Sequence, residues 1–143
     1  MKKTVFIGLF LVCMIMTFPE DSEINKVTLT LKVLNIKNDK GTIRAALFDS
    51  KDSYDSSSLF MGIAETIKDH QSVLIFENVP VGEYAIQLFH DKNGNDELDT
   101  GLFGIPKEDY AFSNNIPGPF GPPDYDKVKF IVTEDTTIII RIE

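Results

Sequence analysis

The chain has 143 residues, a formal charge of −8 and a single cysteine. That length suits one domain. The charge argues against nucleic acid and anionic lipid surfaces as partners, and one cysteine excludes a disulfide framework.

The first segment, MKKTVFIGLFLVCMIMTFPEDS, opens on Lys2 and Lys3 and then runs apolar from Val5 to Phe18. A basic tip followed by a short apolar run is the layout of an export signal, and the run is shorter than the ~20 residues a spanning helix needs. Residues 1–19 are read as a signal peptide and residues 24–143 as the folded domain, with no transmembrane span once the signal is removed. No small-x-small pattern precedes Glu20, so the cleavage point stays open. Val12 is not a small residue and the apolar run continues past Cys13, so this cysteine is read as part of the signal rather than as a lipid anchor. Without residues 1–19, which carry Lys2, Lys3 and no acid, the charge is −10. About 120 residues bury roughly two-thirds of their unfolded surface and can stand on a core alone.

From Lys26 the pattern has period two. Val27, Leu29, Leu31 and Val33 share one face, with Thr28, Thr30 and Lys32 on the other, as in a half-buried strand. KNDKG is a turn, and TIRAALF, alternating Ile43, Ala45 and Leu47, is expected to return as its hairpin partner. DSKDSYDSSS, Asp49 to Ser58, reads as a polar loop. LFMGIAETIKD is ambiguous between helix and strand and is assigned to a strand over Ile63 to Ile67. SVLIFENV reads as a buried strand, Pro80 to Gly82 as a turn, and EYAIQLFHD as a strand with Tyr84, Ile86, Leu88 and His90 on one face. DKVKFIV and TTIIIRI, around TED, are expected to form a last hairpin. About seven short strands without a convincing helix predict an all-β sandwich of two sheets.

Between Asp91 and Tyr125 the strand rhythm stops. Five of the nine glycines and five of the seven prolines lie there, with Phe103, Tyr110, Phe112, Phe120 and Tyr125. Long excursions of this kind are functional or disordered, and aromatics are scarce in disordered segments. The excursion is therefore expected to pack against the sandwich. Its aromatics either seal one end of the sandwich, the preferred reading, or form a ligand platform; His90, Phe103, Tyr110, Phe112, Asn114 and Phe120 are the candidate ligand residues.

Two stretches carry a resemblance. FENVPVGEYAIQLF resembles the strand-turn-strand signature of transthyretin-like and carboxypeptidase-regulatory-like sandwiches, with Pro80 and Gly82 in the turn and Tyr84 covering the corner while its hydroxyl finds a partner. Gly41 to Phe48, Phe89 to Asn95, Gly104 to Pro106 and Phe112 to Asn115 together resemble a bacterial family of exported proteins classed as domain of unknown function 2141. These resemblances imply export and a Greek-key, transthyretin (prealbumin)-like sandwich, and no activity. The chain departs from the family pattern at Asp96 and Ala111, where the family commonly has glycine.

HDKNGNDELDTG, His90 to Gly101, places oxygen-bearing side chains at alternate residues: Asp91, Asn93, Asn95, Glu97 and Asp99. This follows the first nine positions of the helix-loop-helix calcium pattern, with Glu97 offering its carbonyl. Asp96 stands where that pattern has glycine, and Leu102 where it has its bidentate glutamate, so a calcium loop here would need Glu108, Asp109, water or a carbonyl. The competing reading is a metal-free turn, which Asn and Asp favour by bonding nearby backbone; it is preferred on the motif alone. Zinc is disfavoured, with only His70 and His90 and no cysteine in the folded part.

His90 beside Asp91 invites a proton-transfer reading, but neighbours on a strand face opposite sides. The preferred reading is a partly buried histidine donating to a loop carbonyl. Ser113 is the nearest nucleophile, and nothing marks it as activated. The sequence thus predicts a non-enzymatic binding or structural module of the periplasm or outer cell envelope, its partner an envelope protein or a small ligand. The alternative is an envelope hydrolase using His90 and neighbouring carboxylates.

Overall fold

A computed structural model describes residues 25–142; the signal segment read over residues 1–19 lies outside the described residues. Eight strands form two sheets: β1 (Lys26–Leu34), β2 (Thr42–Phe48), β3 (Met61–Thr66), β4 (Ser72–Pro80), β5 (Gly82–Asp91), β6 (Tyr110–Phe112), β7 (Phe130–Val132) and β8 (Thr136–Arg141). The smaller sheet has the order β4-β1-β8 and the larger β3-β2-β5-β6, with β7 pairing the start of β5. All pairs are antiparallel except β1 with β8. Two short helices, α1 (Lys51–Asp55) and α2 (Tyr125–Val128), complete the elements used below.

The period-two reading places the core correctly. Leu29, Leu31 and Val33 of β1, Leu74 and Phe76 of β4, and Ile140 of β8 meet Ile43, Ala45 and Leu47 of β2 and Tyr84, Ile86 and Leu88 of β5. All of these are buried, and each aliphatic side chain so buried contributes about 1.5–3 kcal/mol.

Connectivity differs from the expected hairpins. β1 and β2 do not pair; the chain leaves the smaller sheet after β1 and enters the larger one at β2. The last two strands separate in the same way, β7 joining β5 and β8 joining β1. Alternation specifies which face of a strand is buried, and two strands joined by a turn look identical whether they pair or face each other across the core. The turn at Pro80 to Gly82 also crosses between sheets, and the Tyr84 hydroxyl closes it by donating to the Pro80 carbonyl at 2.7 Å.

The polar loop holds the other departure. Ser50 caps α1 through a reciprocal box with Ser53, each backbone N–H reaching the other's hydroxyl, at 3.1 and 3.2 Å. A five-residue helix is too short to show a hydrophobic period, so the stretch reads as a polar loop. The excursion likewise contains β6, a three-residue strand that extends the larger sheet. Among the described residues no helix is long and apolar enough to cross a membrane.

Candidate functional site: an anchored turn and an apolar groove

β2 pairs with β5 so that Ile43 faces His90 and Thr42 faces Asp91. Both His90 and Asp91 are wholly buried. The His90 ring presents Nε2 to the Lys40 carbonyl at 2.6 Å, and His90 N–H donates to the Asp109 carbonyl. The sequence predicts a partly buried ring; it is wholly buried, its Nδ1 has no hydrogen-bond partner among the described residues, and it does not reach the groove described below.

Asp91 organises the turn. Its Oδ1 accepts from the backbone N–H groups of Gly94 (2.7 Å) and Asn95 (3.2 Å); its Oδ2 accepts from Asp96 N–H (3.0 Å) and Arg44 Nε (2.9 Å). A carboxylate has about four lone-pair sites, so every acceptor position of Asp91 is filled. Arg44 also pairs with Asp96. From the other side the buried Glu108 accepts Lys92 N–H at 2.8 Å and Asp99 N–H at 3.1 Å, holding both ends of the turn. Asp109 then bridges Lys37 (2.6 Å) and Lys92 (2.8 Å). Burial pushes its carboxyl up, but the two ammonium partners outweigh this and hold it below the usual carboxylate range.

The remaining candidate ligands bond one another. Asn93 and Asn95 each donate a side-chain N–H to Asp99, at 2.7 and 2.9 Å, while their side-chain oxygens accept backbone N–H groups of Asn95 and Glu97. These are Asx turns of the kind expected without a metal. Among the described residues no three histidine, cysteine, aspartate or glutamate side chains converge as a metal-ligand set. Calcium at Asp91 would have to displace Arg44 or a backbone N–H, so that side chain fits the metal-free turn better. Asp99 is met by the NH2 ends of both amides, whose oxygens face backbone N–H groups instead, so it too is satisfied without a cation.

Asp96 has φ 70°. The departure from glycine thus falls at a left-handed position, which aspartate tolerates better than most residues, and its N–H and carboxylate are both used. Gly41, at φ 75°, sits so close that a Cβ there would lie 1.9 Å from the Asp91 carbonyl oxygen. Only glycine fits against the anchor.

Beyond this turn the excursion folds over the outer face of the larger sheet and leaves a groove of about 770 Å³. Ala46, Ala64, Gln87 and Phe89 form part of its floor, and Leu98, Ile105 and Pro106 stand on one side. Of the ligand candidates, Phe103, Tyr110, Phe112 and Phe120 line it, while His90 and Asn114 do not. Asn114 instead donates to the Lys127 and Lys129 carbonyls. The expected aromatic packing therefore holds for Phe112 and Tyr125, which are buried, but not for Phe103 and Phe120, which are 98 % and 102 % exposed. Phe103 sits at φ 62°, at the tip of a tight reversal closed by the Thr100–Pro106 bridge.

Sequence reasoning missed Arg44, Leu59 and Leu98. Arg44 had a signal: it points out from β2 on the same side as Ala46, one position from strand residues that face the core. Leu98 lies in polar company and carries none, while Leu59 opens the apolar triplet Leu59, Phe60 and Met61, which signals a strand rather than a groove. Ser113 is buried, its hydroxyl bonding Ile86 N–H and the Val128 carbonyl, as a structural link rather than a nucleophile.

A family model described as an uncharacterized protein conserved in bacteria (DUF2141) matches residues 31–140. No curated protein and no solved structure matches the chain.

Proposed function

The chain belongs to the DUF2141 family, and from that premise we propose that it is an exported, non-enzymatic binding module of the periplasm or outer cell envelope, its guest held in the groove over the larger sheet. The observation that carries this reading is the groove itself. Its volume lies within the ~300–1,000 Å³ of small-molecule sites, and its rim displays two aromatic rings to solvent. The hydrolase alternative would need His90 and Asp91 at a surface; both are buried and committed to backbone or Arg44. Export rests on Lys2, Lys3 and the apolar run that follows.

The test is native mass spectrometry of the protein purified from the envelope fraction, beside Ala64→Trp, which fills the groove from an exposed strand position. A bound mass present in the parent and absent from the variant supports the reading. Equal occupancy of both removes it. Turnover of ester, phosphate or glycoside substrates that is lost in His90→Ala would favour the hydrolase instead.

Calcium is a second reading for the turn, and it rests on the alternate oxygen-bearing side chains Asp91, Asn93, Asn95, Glu97 and Asp99. A cation that binds only the folded state raises stability as RT ln(1 + [L]/Kd). Melting with calcium and with chelator tests it; coincident curves eliminate the cation and leave Arg44 as the positive charge that holds the turn.

A further inference from the structure

Three features of the groove bear on the class of its guest. The charged side chains lining it, among the described residues, are Arg44 and Asp96, and these neutralise each other while Arg44 also serves Asp91. Arg44 is shared between two carboxylates, so no cation is left over for an anionic head group. Second, hydrogen-bonding capacity is sparse. The Tyr110 hydroxyl is committed to the Gly118 carbonyl at 2.7 Å, which leaves Gln87 and Thr100 as the uncharged side chains able to meet polar atoms of a guest. A saccharide, with a hydroxyl on nearly every carbon, would bury many unpaired groups there, at a cost of about 1–3 kcal/mol each.

Third, the chain accepts strain to show its rings. A left-handed φ costs a bulky residue of order 1–3 kcal/mol, and Phe103 adopts one with its ring almost wholly in water. Phe120 is presented between Pro119 and Gly121, the latter at φ 124°. Exposed rings at a groove mouth repay such strain when a flat apolar surface covers them.

We infer that the groove takes a neutral, largely apolar small molecule with an unsaturated or ring-bearing body and no more than one or two hydrogen-bonding groups. Fatty-acid anions and other anionic amphiphiles are disfavoured twice, by the absence of an unpaired cation in the groove and by the net charge of −8. The inference rests on the groove being the binding site, as proposed above, and narrows what it binds.

Two fluorescent arylamines test it on the full chain as the cell processes it. N-phenyl-1-naphthylamine is neutral; 1-anilinonaphthalene-8-sulfonate carries the same rings and an added sulfonate. The neutral probe is expected to bind at least tenfold tighter. Phe103→Ala/Phe120→Ala is expected to lower its affinity at least tenfold, and Ala64→Trp to abolish binding while melting within a few degrees of the parent. If the sulfonate or laurate binds as tightly as the neutral probe and Ala64→Trp blocks it, the ligand class is overturned and the groove reading survives. If neither probe binds the parent chain, both readings fall. Sedimentation equilibrium supplies the remaining outcome. A parent that dimerises through Phe103 and Phe120, with a monomeric double variant, makes a second copy the occupant and overturns the small-molecule inference.

Discussion

The outer face of the larger sheet is aromatic at both ends, and the two ends behave in opposite ways. At one, Phe48, Ala85 and Phe112 of the sheet pack against Tyr54 of α1 and against Tyr125 and Val128 of α2. Phe48 meets Tyr54 edge-on with centroids 5.4 Å apart, and Tyr54 lies 5.7 Å from Tyr125. At the other, Phe103 and Phe120 stand in solvent above a groove. The difference lies in what ties the neighbouring backbone. The closed end has a capped helix and a Tyr54 hydroxyl donating to the Pro123 carbonyl at 3.0 Å, which draws the returning excursion onto the sheet. The open end has a tight reversal held over its own few residues, which projects its ring outward. Aromatic content alone does not decide between core and binding surface; the local tether does.

The largest effect should separate the ends outright. Phe48→Ala is expected to cost about 3–5 kcal/mol, as for a large ring removed from a packed cluster. Phe103→Ala should change stability by no more than about 0.5 kcal/mol, as at an ordinary surface position. Urea titration of both variants measures this. Comparable losses would mean that the open end is packed after all.

Next comes the anchor on which the open end depends. Asp91→Ala leaves the Gly94 and Asp96 N–H groups without an acceptor and strips the part-buried Arg44 of one of its two carboxylates, and an expected loss of roughly 3 kcal/mol follows. Hydrogen exchange should show residues 92–108 losing protection ahead of the α1–α2 end. Uniform loss would mean that the turn does not hold the excursion separately.

A smaller effect probes the closed end's tether. Tyr54→Phe keeps the ring and deletes one hydrogen bond, for an expected cost of about 1 kcal/mol. Binding of the neutral probe should be unchanged. A variant that weakened the probe would show that the two ends are coupled.

Much of this division was legible, but unevenly. Strand faces followed from alternation, because the side-chain period is a local property of the backbone. Pairing did not, because β1 with β2 and β7 with β8 are neighbours in sequence that choose partners across the sandwich. At the site, the recurrence of Asp91, Asn93, Asn95, Glu97 and Asp99 falls on a turn whose side chains bond its own backbone. What it could not show was Arg44, 47 residues earlier, supplying the positive charge. Phe103 and Phe112 are equivalent as letters. Their fates diverge because Phe112 falls in register with Gln87 on β5, while Phe103 falls on a reversal that pairs with nothing beyond itself.

The smallest predicted effect concerns pH and again tells the ends apart. Asp109 sits at the root of the excursion between Lys37 and Lys92, and these partners depress its carboxyl below the ordinary range. A depressed carboxylate contributes stability that is fully present above its unfolded pKa, about 3.9, and that is lost as pH falls through the lower folded value. The excursion should therefore loosen at the acid end of a titration from pH 7 to pH 3, and Asp109→Asn should flatten that part of the stability curve. At the closed end Asp126 is depressed as well, by Lys129, but that pair is exposed. Salt screens exposed pairs more than sheltered ones. Raising the salt from 0.05 M to about 0.5 M should thus erase the Asp126→Asn difference first and leave the Asp109→Asn difference largely in place, because Asp109 is packed beneath the turn that Glu108 and Asp91 hold shut. If both differences vanish together, the root of the excursion is as open to water as its tip.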